Sequence, residues 1–185
     1  GNLINTKELI YEAGFKEGGL EEGCSDTRVI AALVSQSPRP AFQEAILDVL
    51  AKLKGAFNLI FIFDNNLYAV RDPFGFHPLQ LGRRGQDFLV ASESCVFDQL
   101  GGTLVRDIRP GEMITIDTDG SHSFFFTGQT ALKIDIFEYI YFLRPDSVVE
   151  GVEAGLARYW MGRIRADEHT VEADLIIPFT DSGNQ

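Results

Sequence analysis

The sequence predicts an α+β fold, in which helices precede and follow a meandering antiparallel sheet. Three observations carry that prediction. Between residues 5 and 54, apolar residues recur at helical spacing in three separate stretches. From residue 55 to residue 126 the period shortens to that of strands. Apolar runs there are punctuated by Asp64-Asn65-Asn66, Asp72-Pro73-Phe74-Gly75, Arg83-Arg84-Gly85-Gln86 and Asp117-Thr118-Asp119-Gly120. Beyond residue 150 a helical stripe leads into a short continuous apolar run, which is how an α/β unit begins.

Residues 5–13 read as a first helix. Asn5 or Thr6 can cap it, Glu8 stands at the capping-box distance from Asn5, and Leu9 and Ile10 face inward. Gly14 ends it, and the Gly- and Glu-rich residues 16–23 form a loop. A second helix starts at Ser25 or Asp26, where an aspartate caps exposed N–H groups. Val29, Ile30, Leu33 and Val34 make its stripe, and Ser37-Pro38-Arg39-Pro40 breaks it. The third helix covers residues 41–54, with Phe42, Ala45, Ile46, Val49, Leu50 and Leu53 inside and Gly55 closing it.

Leu59, Phe61 and Phe63 alternate with Ile60 and Ile62, so the first long strand is apolar on both faces and is expected to lie deep. Residues 67–79 read as an organising hairpin, whose connection Arg71-Asp72-Pro73-Phe74-Gly75-Phe76-His77-Pro78 should have a fixed shape. Further strands fall at 79–82, 87–91, 103–106, 113–117 and 123–126, and Ser92-Glu93-Ser94 caps a short helix over 95–100. Residues 136–142 are densely aromatic. Residues 152–167 read as an amphipathic helix with Leu156, Tyr159, Trp160, Met161 and Ile164 inward and Arg158, Arg163 and Arg165 outward. Leu175-Ile176-Ile177-Pro178 reads as a buried parallel strand.

At 185 residues the chain suits one domain, or one domain plus part of another. Sixteen basic against 27 acidic residues leave a net charge of −11, which makes nucleic acid and anionic membranes poor partners. Apolar stretches stop short of the roughly 20 residues a membrane span needs. Two cysteines, Cys24 and Cys95, suit reduced thiols in the cytoplasm. The chain opens at Gly1 and closes just after Asp181-Ser182-Gly183, so both ends read as cut.

No self-contained catalytic constellation is visible. His77, His122 and His169 sit in a loop, a hairpin and a helix end, with no second ligand at metal spacing. Cys95 stands at a helix start, a place that can lower a thiol pKa, but a buried small hydrophobe is the favoured reading. Arg71 and Asp72 are read as a local ion pair that fixes their loop. Asp26 alone reads more readily as a cap than as a ligand. Asp181-Ser182-Gly183 is a candidate substrate-facing strand end.

Several stretches taken in order resemble the amidophosphoribosyltransferase family. They are Gly1-Asn2-Leu3-Ile4-Asn5, Ser25-Asp26-Thr27, residues 67–79, Ala91-Ser92-Glu93-Ser94-Cys95, residues 105–112, residues 137–147, Met161-Gly162, and Ala173-Asp174-Leu175-Ile176-Ile177-Pro178 with Asp181-Ser182-Gly183. Any one is weak; the ordered set is specific.

The resemblance implies an N-terminal-nucleophile (Ntn) hydrolase αββα sandwich leading into an α/β phosphoribosyltransferase domain. It places the glutamine amidotransferase domain at residues 1–147, lacking its leading part, and the opening of the transferase domain at 148–185. It implies that the intact enzyme forms 5-phosphoribosylamine from glutamine and phosphoribosyl pyrophosphate, the first step of purine synthesis.

Gly1 matches the glycine of an Asn-Gly oxyanion hole, and Asp26 matches the residue that binds the α-amino group of glutamine. The nucleophile is an N-terminal cysteine whose own amino group acts as base. It matches no residue here, so the isolated polypeptide is expected to be inactive. Mg2+ and homo-oligomerisation are implied for the intact enzyme, with the metal's ligands outside these residues. Asp135 stands where some members carry an iron–sulfur ligand, so no cluster is expected. His77, Leu143 and Thr180 also depart from the family's usual residues. The competing readings are the glutaminase half of another amidotransferase of this class and a non-catalytic Ntn-fold binding or regulatory protein.

Overall fold

The helical stripes and strand runs sort into two units, residues 1–75 with 110–132 and residues 76–109 with 133–185. The computed structural model describes residues 2–14, 25–128 and 130–178. The loop expected at 16–23, Cys24 and Asp181-Ser182-Gly183 lie outside the described residues.

The first unit opens with β1 (Asn2–Leu3) and three helices, α1 (Thr6–Glu12), α2 (Asp26–Ser35) and α3 (Phe42–Leu50). Then come β2 (Gly55–Ala56), β3 (Asn58–Phe63) and β4 (Asn66–Arg71). After an excursion into the second unit it closes with β8 (Glu112–Asp117) and β9 (Gly120–Phe125). β1 pairs with β2, and the larger sheet is antiparallel throughout in the order β3-β4-β8-β9. The helix stripes fall as the periodicity predicts. Leu9, Val29, Ile30, Ile46, Val49 and Leu50 pack with Tyr68, Val70 and Met113 of the sheet. Burying each such side chain stabilises the fold by about 1.5–3 kcal/mol.

The turns also follow their residues. Asp64 and Asn65 both adopt positive φ, 47° and 59°, which matches the right-handed twist of the β3–β4 hairpin. Asp117 accepts the N–H groups of Asp119 and Gly120, closing the β8–β9 turn.

Two expectations for this unit need correction. Asn5 stands at the N-cap of α1 without a side-chain cap bond. Its amide instead donates to Lys52 O and accepts from the Lys54 N–H, pinning the start of α1 to the α3–β2 connection. β3 is not deep either. It is an edge strand, and Ile60, Ile62 and Phe63 are exposed, Ile62 by 78%. Alternation of Leu, Ile and Phe marks a strand but does not say which of its neighbours are present.

An uncharged, exposed edge of this kind is an aggregation hazard. Replacing Ile60 and Ile62 together by lysine is expected to reduce aggregation of the 185-residue chain with no change in far-ultraviolet circular dichroism. Light scattering as strong as that of the parent sequence would refute this.

The second unit holds β5 (Gln80–Arg84), β6 (Asp87–Ala91), α4 (Cys95–Gln99) and β7 (Thr103–Asp107), with the sheet order β6-β5-β7. Phe97 lies on Gly82, where an added Cβ would fall 2.5 Å from the ring. A π-helix (Glu138–Phe142), the pair β10 (Val148–Val149) and β11 (Val152–Glu153), and α5 (Ala154–Glu168) complete it. Residues 67–79 do not form a hairpin with the next strand. β4 and β5 belong to different sheets, and the connection between them passes from one unit to the other.

α5 turns the opposite way from its stripe. Arg158 is buried at 8% exposure, while Leu156, Tyr159, Trp160, Met161 and Ile164 are 37–54% exposed. The reason is polar. The Arg158 guanidinium donates to Tyr139 O at 2.7 Å and Leu143 O at 2.6 Å, one carbonyl within the π-helix and one just after it. Residues 175–178 form no strand, and Leu175, Ile176 and Ile177 are 74–85% exposed. A strand needs a paired neighbour, and among the described residues none flanks this run.

Candidate functional site

Asp26 opens α2, but its side chain does not cap that helix. Ser25 occupies the N-cap with an extended backbone and no side-chain cap bond. The Asp26 carboxylate reaches back to the start of the chain instead. Its Oδ2 accepts the Leu3 N–H at 2.9 Å and its Oδ1 accepts the Thr6 hydroxyl at 2.8 Å. The segment it holds is fixed independently, since Ile4 N donates to Lys54 O at 2.9 Å and β1 pairs with β2.

Topology therefore brings Asp26 to residues 3–6. Gly1 itself lies outside the described residues. A carboxylate offers about four lone-pair sites. Asp26 uses two of them on these contacts, is half-buried, and sits at the positive end of a helix dipole. Such a group is a fixed anionic acceptor with capacity left for an ammonium ligand.

The Arg71–Pro78 stretch is scaffold. Arg71 is fully buried and donates to Gly75 O at 3.0 Å, while Asp72 accepts the Phe74 N–H at 2.8 Å. Asp72 O also receives the N–H groups of Gly75 and Gly111. Gly75 holds φ at +59°, and a Cβ there would lie 3.0 Å from the Arg71 guanidinium. The loop has the fixed shape its composition suggests.

The histidines do not converge. His77 Nδ1 lies 2.7 Å from the buried Glu138 Oε1, and His122 Nε2 lies 3.5 Å from Asp117 Oδ1. His169 ends α5. Among the described residues no three His, Cys, Asp or Glu side chains gather as a metal site.

Cys95 is buried at 3% exposure, with its Sγ 3.9 Å from Glu93 Oε2, as the small-hydrophobe reading has it. Ser94, the N-cap of α4, makes no side-chain cap bond. Glu93 Oε2 accepts the Arg144 N–H and the Ser147 hydroxyl, and Ser94 Oγ accepts the Val148 N–H. Gln80 Nε2 adds bonds to Asp107 and Val148 O. Two of the stretches that carried the resemblance, 91–95 and 137–147, thus hold each other through Arg144 and Ser147. Partners 51–54 residues apart leave no local spacing signal.

Asp135 Oδ1 accepts the Phe137 N–H at 3.0 Å, closing the turn into the π-helix. A cavity of about 560 Å³ between α2, α3 and β3 is lined by Thr27, Ala31, Phe42, Ile46 and Phe63. It is largely apolar and does not include Asp26.

A sequence profile of the glutamine amidotransferase domain matches residues 1–99. The amidophosphoribosyltransferase of Mycobacterium tuberculosis (strain ATCC 25618 / H37Rv) is 40% identical over 99% of this chain and 36% of its own length. That of Bacillus subtilis (strain 168) is 36% identical over 98% of this chain and 38% of its own. The solved glutamine phosphoribosylpyrophosphate (PRPP) amidotransferase from B. subtilis, complexed with ADP and GMP, superposes with a TM-score of 0.92 at 36% identity. It covers 98% of this chain and 40% of that one. A second solved structure, described as the allosteric regulatory enzyme of purine biosynthesis, matches with the same TM-score and identity. This chain therefore spans less than half the length of these relatives, and its mixed fold is that of their Ntn sandwich.

Proposed function

We propose, from the premise that this chain belongs to the glutamine amidotransferase domain family, that it is the amidotransferase portion of an amidophosphoribosyltransferase. In this reading the longer protein releases ammonia from glutamine and joins it to phosphoribosyl pyrophosphate, giving 5-phosphoribosylamine for purine synthesis. The observation that carries the reading is agreement along almost the whole chain, 36–40% identity with these relatives and a TM-score of 0.92. Residues 1–147 belong to the amidotransferase domain in this reading, and 148–185 begin the transferase domain.

Asp26 binds the α-ammonium of glutamine, and Gly1 contributes its backbone N–H to the oxyanion hole. The pinned carboxylate of Asp26, which accepts two donors among the described residues and has further lone-pair sites, supports the first assignment. The second rests on the sequence match alone. Cys95 is not the nucleophile, because a thiol at 3% exposure cannot meet a substrate.

The residues present do not fit an iron–sulfur cluster. Asp135 is engaged with the Phe137 N–H, and a carboxylate is a poor replacement for thiolate. Mg2+ is assigned to the longer protein, with ligands outside these residues. A cytoplasmic homo-oligomer is the assembly proposed, supported by the family resemblance and, for the compartment, by the free thiol of Cys95. Among the described residues no helix is long and apolar enough to cross a membrane.

The test is Asp26→Asn in the longer protein that carries this chain, assayed by glutamate release. Losing a charge-assisted bond to the substrate ammonium is expected to raise the KM for glutamine by roughly tenfold or more, with a smaller change in kcat. An unchanged KM would remove Asp26 from the site.

A further inference from the structure

Among the described residues the two donors to Asp26 come from residues 3–6, one to each carboxylate oxygen. The Leu3 N–H is a backbone group that any residue except proline would supply. The Thr6 hydroxyl is different, because only serine, threonine or another short hydrogen-bonding side chain could replace it. Thr6 is the first residue of α1, where helix formation itself does not require a hydroxyl.

That hydroxyl has one proton and two acceptors in reach, Asp26 Oδ1 at 2.8 Å and Leu3 O at 3.1 Å. The ionised carboxylate is both nearer and the stronger acceptor, so the proton goes to Asp26. With donors on both oxygens, the carboxylate plane is locked. With one donor alone, the terminal torsion of an aspartate is broad and the group would swing.

We propose that Thr6 is a positioning residue for recognition of the substrate's α-ammonium group: its hydroxyl sets the plane of the Asp26 carboxylate so that the unused lone pairs point at that ammonium. The inference rests on the assignment of Asp26 to that ammonium. It adds a residue whose contribution is pre-organisation, because an acceptor already held in its bound geometry loses less freedom when the ligand arrives. Thr6 does not touch the substrate in this scheme. Its effect should appear in binding and should vanish for a substrate without the ammonium.

The experiment compares Thr6→Val, Thr6→Ala, Thr6→Ser and Asp26→Asn in the longer protein. Each is assayed with glutamine and with its des-amino analogue, which keeps the γ-amide but lacks the α-amino group. Thr6→Val and Thr6→Ala are expected to raise the KM for glutamine about three- to tenfold with kcat nearly unchanged. Thr6→Ser should restore it, and the constants for the des-amino analogue should not move. Thr6→Ala keeps the test open should the valine variant fail to fold.

If Asp26→Asn raises the KM while both hydroxyl-free variants behave as the parent, the Thr6 inference is wrong and the Asp26 assignment stands. If Asp26→Asn leaves the KM unchanged, the assignment and the inference fall together. A loss shared equally by glutamine and the analogue would mark a general structural role and overturn the inference.

Discussion

Gly55→Ala is expected to destabilise the first unit by about 3 kcal/mol and, in the longer protein, to weaken the glutamine binding proposed for Asp26. Gly55 has φ +129°, a conformation that side-chain-bearing residues rarely adopt. A Cβ there would fall 2.3 Å from Asn2 O and 3.0 Å from the Leu3 Cα. Both are backbone atoms of β1, so no side chain can swing aside to relieve the overlap. β1 would have to leave β2, breaking the Asn2–Ala56 and Leu3–Gly55 pairing.

The second effect arises from the first. Leu3 supplies one of the two donors that hold Asp26, and Thr6 lies one short turn beyond it. A displaced β1 therefore releases the carboxylate as well as the strand. Gly14→Ala is the control: its φ is +71°, but among the described residues nothing lies within 4 Å of the added Cβ, so the conformational strain of about 1 kcal/mol is the expected cost. Urea denaturation of the two variants measures the difference. Equal midpoints would show that the approach of β1 to Gly55 is not tight.

Local signals in the sequence were legible wherever a local interaction decides the outcome. The stripes of α2 and α3 place Val29, Ile30, Leu33, Ala45, Ile46, Val49 and Leu50 inside, and they are buried. Asp64-Asn65 and Asp117-Thr118-Asp119-Gly120 turn the chain because these residues accept positive φ or bond their own backbone. Arg71 and Asp72 read as residues that fix their loop, and both are fully buried and bonded to its backbone, Arg71 to Gly75 O and Asp72 to the Phe74 N–H.

What failed depended on partners distant in sequence. Periodicity marks 58–63 as a strand but cannot tell an edge from a centre, and a continuous apolar run such as 175–178 has no period to read. Asn5, Asp26 and Ser94 each stand where a helix could be capped, and each spends its side chain on a longer-range partner instead. For Asp26, the local reading alone pointed to a cap and the family comparison to a ligand. The donors that hold it, 20 and 23 residues earlier, became visible only in three dimensions.

Arg158→Met in the second unit carries the other large expectation, a loss of about 2–4 kcal/mol. A π-helix leaves carbonyls at its end that the extended backbone after it cannot satisfy. Leu143 N closes the i to i+5 bond to Glu138 O at 2.9 Å, but Leu143 is already extended, at ψ 143°. The buried Arg158 guanidinium fills the deficit, one N–H group to Tyr139 O and another to Leu143 O.

Methionine keeps most of the volume and removes both donors, leaving two buried carbonyls without them. Lysine offers one compact charge where a planar fork spans two acceptors, so Arg158→Lys should recover only part of the loss. Leu156→Glu and Ile164→Glu, on the exposed face of the same helix, should change stability by no more than about 0.5 kcal/mol in this chain. Amide exchange across residues 138–143 and 154–168 reads all four variants. If Arg158→Met protects as the parent does while Leu156→Glu unfolds the helix, the apolar stripe faces inward after all and the orientation of α5 is reversed.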